Sequence, residues 1–395
     1  MAPRIGYFLY DSKALDHSGV IDRLGQNSAA THLSGGNLGN FAFKYGLRRM
    51  VGSHVGFFDS RTPPEQVRSE FDILLVAEAN VVNPAIDFGP LADRFEEYDL
   101  PVVVCGIGSQ ASISVESADQ FPALNSGTAR YLRVLAQRSP SLIVRGSFTA
   151  AVLQSQLGIE NVKVGGCPSY FINPKKDLWA RVCQKASRNS LALRPALTEG
   201  YYHPAWMPEN GLELERKLFS LVREGSTSYI LQQNFDLLNL VCGLEMPSTA
   251  ALEKSRAYSS PDMSIDDYIT LIRKNCKGFL RADEWVAYLR NRSSTFGTRI
   301  HGNILSLQAE TPALVVAHDR RTIELADTLK IPRVGVEEIL QLKSPGSIFE
   351  KIADIYASLD AQGLDENRRQ LAFTYRQVFQ ELDIPVSENL GELAF

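Results

Sequence analysis

In the stretch GTRIHGN, Arg299 and His301 stand two residues apart between Gly297 and Gly302, just ahead of the helical-looking run NILSLQAE. An imidazole with an ordinary pKa near ~6.5 can give or take a proton at neutral pH, and a guanidinium two residues away can hold an anion beside it. The same junction carries Asn303 next to Gly302, which places both against a ligand. A second arginine, Arg145, ends the apolar run SLIV and precedes Gly146 and the helical stretch SFTAAVLQ. At the carboxyl end of a strand, such a fork can make paired hydrogen bonds to a carboxylate or phosphate.

Three further junctions have the residue types of ligand loops. SGGNLGN, residues 34 to 40, opens a helix with Gly36, Asn37, Gly39 and Asn40, where glycines let backbone approach a ligand and the helix start favours an anion. In VVVCGIGSQA, Gly106, Gly108 and Ala111 fit the G-x-G-x-x-A dinucleotide pattern in part, with Gly108, Ser109 and Gln110 placed toward a ligand. The next strand ends in Arg145 rather than the acid that holds a ribose, and SISVESADQFPALN is a poor helix start, so nicotinamide chemistry is a minor reading. In ALVVAHDRRTIELA, Asp319 reads as a helix cap that borders the site, and Arg321 adds a third cation. His318 has no spaced partner, and His17, His32, His54 and His203 form no ligand pattern, so no metal site and no cofactor is expected.

The elements that must position these loops alternate in type. IGYFLY, FDILLVAE, PVVVCGIGSQ and SLIVRG read as strands, interleaved with the helical GNFAFKYGLRRMV, PLADRFEEY, TARYLRVLAQR and FTAAVLQSQLG. That alternation predicts parallel, helix-covered sheets. After the turn-rich GGCPSYFINPKKD it resumes, which predicts an α/β protein of two doubly wound Rossmann-like domains facing a cleft, with C-terminal helices. The boundaries expected are residues 1–180, 181–345 and 346–395, the last able to cross back onto the first domain. Ligands bind beyond the carboxyl ends of strands in such sheets, so the junctions above converge on the cleft.

Composition agrees with a globular reading. The chain has 395 residues, too many for one ordinary core, with 44% hydrophobic and 22% charged residues. A net charge of -4 and no long basic cluster exclude nucleic acid as an expected partner. Five scattered cysteines without C-x-x-C point to a reducing, cytoplasmic setting, and no apolar run approaches a membrane span. Peripheral membrane contact and a homo-oligomer stay open.

These junctions together resemble the polysaccharide pyruvyl transferase family. GGNLGNFAF is similar to its N-x-G-D loop, VRGSFTAAVLQSQLGIENVKVGGCPSYF to its V-R-[DG]-x-x-[ST] segment, and GTRIHGNILSLQAETPALVVAHDRR to its R-x-H-G signature and following strand. The resemblance implies a fold like the two-domain GT-B glycosyltransferases. It also implies transfer of the enolpyruvyl carbons of phosphoenolpyruvate to two hydroxyls of a sugar or glycan acceptor, whose lipid linkage stays open, forming a ketal and releasing phosphate. Arg145, Arg299 and His301 fall on implicated positions. Arg321 stands where the family has lysine, Asn40 where it has aspartate, and Glu310 where it has glycine. A nucleotide-sugar glycosyltransferase and a non-catalytic sugar or anion binder are the alternatives.

Overall fold

The computed structural model describes residues 2–9, 36–200 and 209–394. Ser34 and Gly35 of the first loop, and His17, His32 and His203, lie outside the described residues.

Six strands form the first sheet: β1 Ile5–Phe8, β2 Val55–Phe58, β3 Ile73–Ala77, β4 Val102–Ile107, β5 Leu142–Val144 and β6 Val162–Val164. Six form the second: β7 Ala196–Thr198, β8 Ser228–Leu231, β9 Cys276–Gly278, β10 Thr295–Gly297, β11 Ala313–Ala317 and β12 Arg333–Gly335. All neighbouring pairs are parallel. Every residue of β3, β4 and β11 is buried, as strands covered on both faces must be, and their sequences are accordingly unbroken apolar runs. The fold is thus α/β with two doubly wound sheets.

The two halves wind differently. The first runs β2-β1-β3-β4-β5-β6, a flavodoxin-like order extended by one strand. The second runs β12-β11-β10-β7-β8-β9, which is the Rossmann order. Strand order therefore reverses between β1 and β3 in one sheet and between β7 and β10 in the other, and crevices open at such switch points. Glu78 follows β3 and Arg299 follows β10, so each crevice receives a charged residue from its central strands.

Residue 180 falls inside the helix Leu178–Lys185, and the second sheet begins only at Ala196. The helix Ser347–Ala357 stays on the second sheet, with Phe349 5.7 Å from Phe296 and Tyr356 Oη donating to Ala313 O at 2.9 Å. The helix Ala361–Gln380 instead reaches the first half. Asp365 accepts the backbone N–H of Trp179 at 2.9 Å, Arg368 donates to Tyr170 O at 3.1 Å and Lys175 O at 2.7 Å, and Lys163 pairs with Glu381 at 2.9 Å. An antiparallel bridge between Val51 and Val386 follows.

Candidate active site

Three arginines and two histidines meet in one pocket between the sheets. It is lined from the first half by Asn37, Asn40, Asn80 and Arg145, and from the second by Arg299, His301, His318 and Arg321. Among the described residues no acidic one lines it. The helices Asn40–Met50, Ile300–Gln308 and Arg320–Leu329 begin at its wall, and Arg145 lies two residues before a fourth, Ser147–Leu157. Converging helix starts and guanidinium groups make a field suited to an anion.

Arg145 is 2% exposed, yet its Nε and Nη2 have no hydrogen-bond partner; Nη1 donates to Asn80 Oδ1 at 3.1 Å. Each buried N–H left unmade costs ~1–3 kcal/mol or more for a charged group, so these two nitrogens are suited to an acceptor brought into the pocket. A Cβ on Gly108 would stand 2.7 Å from Arg145 Cδ, which is why glycine is needed there: it makes room for the arginine rather than facing ligand. Arg321 donates to Gln110 Oε1 at 3.3 Å and pairs with Asp319 at 2.9 Å, while its buried Nε also lacks a partner. Arg299 is held by Gly200 O at 3.0 Å and by Gln233 Oε1.

His301 packs against the Phe43 ring at 5.6 Å, and its Nε2 lies 3.7 Å from Cys167 Sγ. Burial first, then the charges of Arg145 and Arg321, hold its pKa well below 6.5, so the imidazole is neutral and can accept a proton. His318, to which the sequence assigned no role, is a second buried histidine in the wall. Its Nε2 is 3.6 Å from Asp319 Oδ2, and burial lowers its pKa against the pull of that carboxylate.

Other residues expected at the ligand take different places. Ser109 is fully buried, donating its N–H to Thr149 Oγ1 at 3.1 Å. Asn303 is fully buried too, its Nδ2 donating to Gly297 O and Arg299 O at 3.1 Å each, so it clamps the loop that presents Arg299. Gly302 lies against Thr198, where a Cβ would come within 2.7 Å of Thr198 Cγ2. Asp319 caps its helix by accepting the Thr322 N–H at 2.7 Å and steadies Arg321. Gly36, at φ +76°, shapes the turn before Asn37 and lines none of this pocket. Gly39 sits under the histidine, and its Cβ would meet His301 Cβ at 3.2 Å and Asn37 Oδ1 at 3.0 Å. Gly39→Val is therefore expected to displace His301 and cut kcat ~10- to 100-fold with a smaller change in donor affinity; an unchanged kcat refutes this contact.

The two halves are tied around the pocket. Thr149 donates from its N–H to Glu324 Oε1 at 2.7 Å and from its hydroxyl to Oε2 at 2.8 Å, and the Arg320 guanidinium lies 5.0 Å from the Phe148 ring centre. A second space adjoins the pocket through Asn37, Asn40, Asn80 and Arg321, and is lined further by Lys44, Glu78, Gln110, Gln233, Ile86 and Phe88. Glu78 is 2% exposed and accepts the Tyr131 hydroxyl at 2.8 Å. Lys44 is buried beside it, and burial lowers its pKa to about 8 although Glu78 opposes the shift. An acid directly after a central strand was the signal for Glu78, but only the strand order shows that β3 borders the switch point.

The buried histidines give stability a pH dependence. Native His301 and His318 resist protonation, whereas the unfolded chain binds protons below ~6.5, so their contribution is present above that pH and is lost below it. The thermal midpoint of the wild type is expected to fall more steeply than that of His301→Gln between pH 7 and 5.5; parallel curves refute a neutral His301.

Among the described residues no helix is long and apolar enough to cross a membrane, and no group of three His, Cys, Asp or Glu side chains is arranged to hold a metal. A sequence profile of the family described as polysaccharide pyruvyl transferase matches residues 37–320, most of the chain and all of the described pocket lining except Arg321 and Thr322. The protein belongs to that family, and is a transferase of the pyruvyl transferase class. No curated protein matches the chain. Among solved structures it is similar to an MnaA–UDP complex from S. aureus (7% identity, 96% of this chain and 97% of that one, TM-score 0.45). It is also similar to a putative UDP-N-acetylglucosamine 2-epimerase from Listeria monocytogenes (12% identity, 98% and 99%, TM-score 0.44) and to the wall teichoic acid polymerase TagF (9% identity, 96% and 90%, TM-score 0.41).

Proposed function

We propose that the protein moves the enolpyruvyl group of phosphoenolpyruvate onto two hydroxyls of a sugar in a glycan, forming a pyruvate ketal and releasing phosphate. The observation that carries this is Arg145: a buried guanidinium with two unpartnered nitrogens in a pocket lined, among the described residues, by three arginines and no acid. Phosphoenolpyruvate has a phosphate and a carboxylate to set against them.

The proton count supports a single shuttle. The first hydroxyl attacks the donor's central carbon while its methylene carbon gains a proton; the second hydroxyl then displaces phosphate, which leaves with that hydroxyl's proton. One proton thus moves from oxygen to carbon, and neutral His301 is placed to carry it. Arg145, Arg299 and Arg321 offset the charge gathering on the departing phosphate. Arg321 cannot donate a proton as a lysine would, which leaves it this electrostatic part.

The adjoining space takes the acceptor, where amide side chains and Glu78 meet hydroxyls and Phe88 and Ile86 meet the apolar face of a ring. The test is phosphate release from phosphoenolpyruvate with and without a panel of glycan acceptors. Acceptor-dependent release with a pyruvate ketal in the product is expected; release without acceptor, or transfer from a nucleotide sugar instead, overturns the reading.

A further inference from the structure

One helix borders three spaces in succession. Asn40–Met50 contributes Asn40 to the arginine pocket, Asn40 and Lys44 to the acceptor space, and Lys44, Arg48 and Arg49 to a third space toward the C-terminal segment. Asn40, Lys44 and Arg48 are four residues apart, so they form one stripe along the helix. From Asn40 to Arg48 the rise is ~12 Å, at ~1.5 Å per residue.

The third space is cationic and has an apolar wall. Arg48 is half-buried there, its Nη1 donating only a long 3.5 Å bond to Val51 O, and Arg49 is exposed. Glu388 is the acidic residue of the lining, against two arginines and Lys44. Basic residues in a last turn also suit the helix dipole, but the dipole does not call for a half-buried guanidinium in a groove. Two of the exposed large apolar side chains lie along this path: Ile86, 42% exposed, in the acceptor space, and Phe57, 39% exposed, in the third. Alternating polar groups and exposed apolar faces suit successive sugar rings, and the arginines suit an oxyanion at the end of the row.

We propose that the acceptor is an extended glycan bearing an oxyanion, either a phosphate ester or a carboxylate, beyond its reacting sugar, and that Arg48 and Arg49 hold that group. This rests on the assignment of donor and acceptor spaces above. It makes the enzyme read its acceptor at two points ~12 Å apart along the helix, so an anionic oligosaccharide outcompetes a neutral one with the same terminal sugar.

Calorimetric titration with inorganic pyrophosphate tests it without any pyruvyl transfer. The wild type is expected to bind two equivalents, Arg48→Gln/Arg49→Gln one, and Arg145→Ala one, the last at the third space. Arg49→Glu alone, at an exposed position, should weaken the third-space affinity at least tenfold and serves as the control for folding. In Arg145→Ala, displacement of pyrophosphate by methyl phosphate but not glucuronate identifies a phosphate ester, and the reverse identifies an acidic sugar. A single wild-type equivalent, lost with Arg145→Ala and untouched by Arg48→Gln/Arg49→Gln, overturns the proposal. Absence of pyruvyl transfer from phosphoenolpyruvate would overturn the proposed reaction while leaving this stoichiometry standing.

Discussion

Replacing His301 with alanine is expected to lower kcat by ~100- to 10,000-fold, the range typical of a lost general acid or base, while leaving donor binding within a few fold. The imidazole is neutral in the free protein, so its removal takes no charge from the anion pocket. The pH profile carries a second expectation. In the free enzyme burial, and after it the charges of Arg145 and Arg321, hold the His301 pKa below its ordinary range, so the acid limb of kcat/KM lies below pH ~6.5. When the donor's oxyanions settle among those arginines they offset the positive charge, and the histidine pKa rises. The acid limb of kcat is therefore displaced to higher pH than that of kcat/KM, and both limbs vanish in His301→Ala. A folded His301→Ala enzyme within threefold of wild type refutes the assignment.

How much of this site was legible in the sequence depended on whether a residue's role was local. Arg145, Arg299 and His301 each follow a strand and precede or open a helix, and that junction is visible as a change of hydrophobic period. Asn303 shares the junction but lies four residues past Arg299, where the helix turns its side chain back onto the Arg299 carbonyl; adjacency in sequence did not mean a place in the pocket wall. Ser109, expected at a ligand, is fully buried for a related reason, since its environment is set by Thr149, 40 residues away. The three-residue strands β6 and β9 are too short to show a period, and β2, VGFF, is bounded by no pattern long enough to separate it from a loop. Glu310 is a departure from the family's glycine that the backbone explains: φ is +59°, a conformation glycine adopts freely, and the glutamate there pairs with Lys175 at 2.6 Å. Lys44, Glu78 and His318 needed the strand order and the packing of both halves before any of them could be placed.

Arg145 offers the sharpest separation of function from stability. Truncating one partner of a buried, charged hydrogen-bonded contact costs about 2–4 kcal/mol of binding, roughly 30- to 1000-fold, so Arg145→Met is expected to raise the donor's Kd and KM by that much. Were Arg145 a structural residue, the same change would also destabilise the free protein. The opposite is expected, because two of its nitrogens are unpartnered at 2% exposure, burial disfavours its charge, and the charge of Arg321 adds to the cost. Methionine fills much of the volume beside Phe43 without that cost, so the free variant's thermal midpoint should equal or exceed the wild type's. Phosphoenolpyruvate should then raise the midpoint of the wild type, as a ligand of the native state does, and fail to raise that of Arg145→Met at the same concentration. Arg145→Lys restores a charge but not the planar fork, and should recover only a small part of the affinity. Since Glu324 and Thr149 already join the two halves, the wild type should bind donor with little change in radius of gyration. A free Arg145→Met protein markedly less stable than wild type, with its donor response intact, would make Arg145 a packing residue and remove the main support for an anionic donor in this pocket.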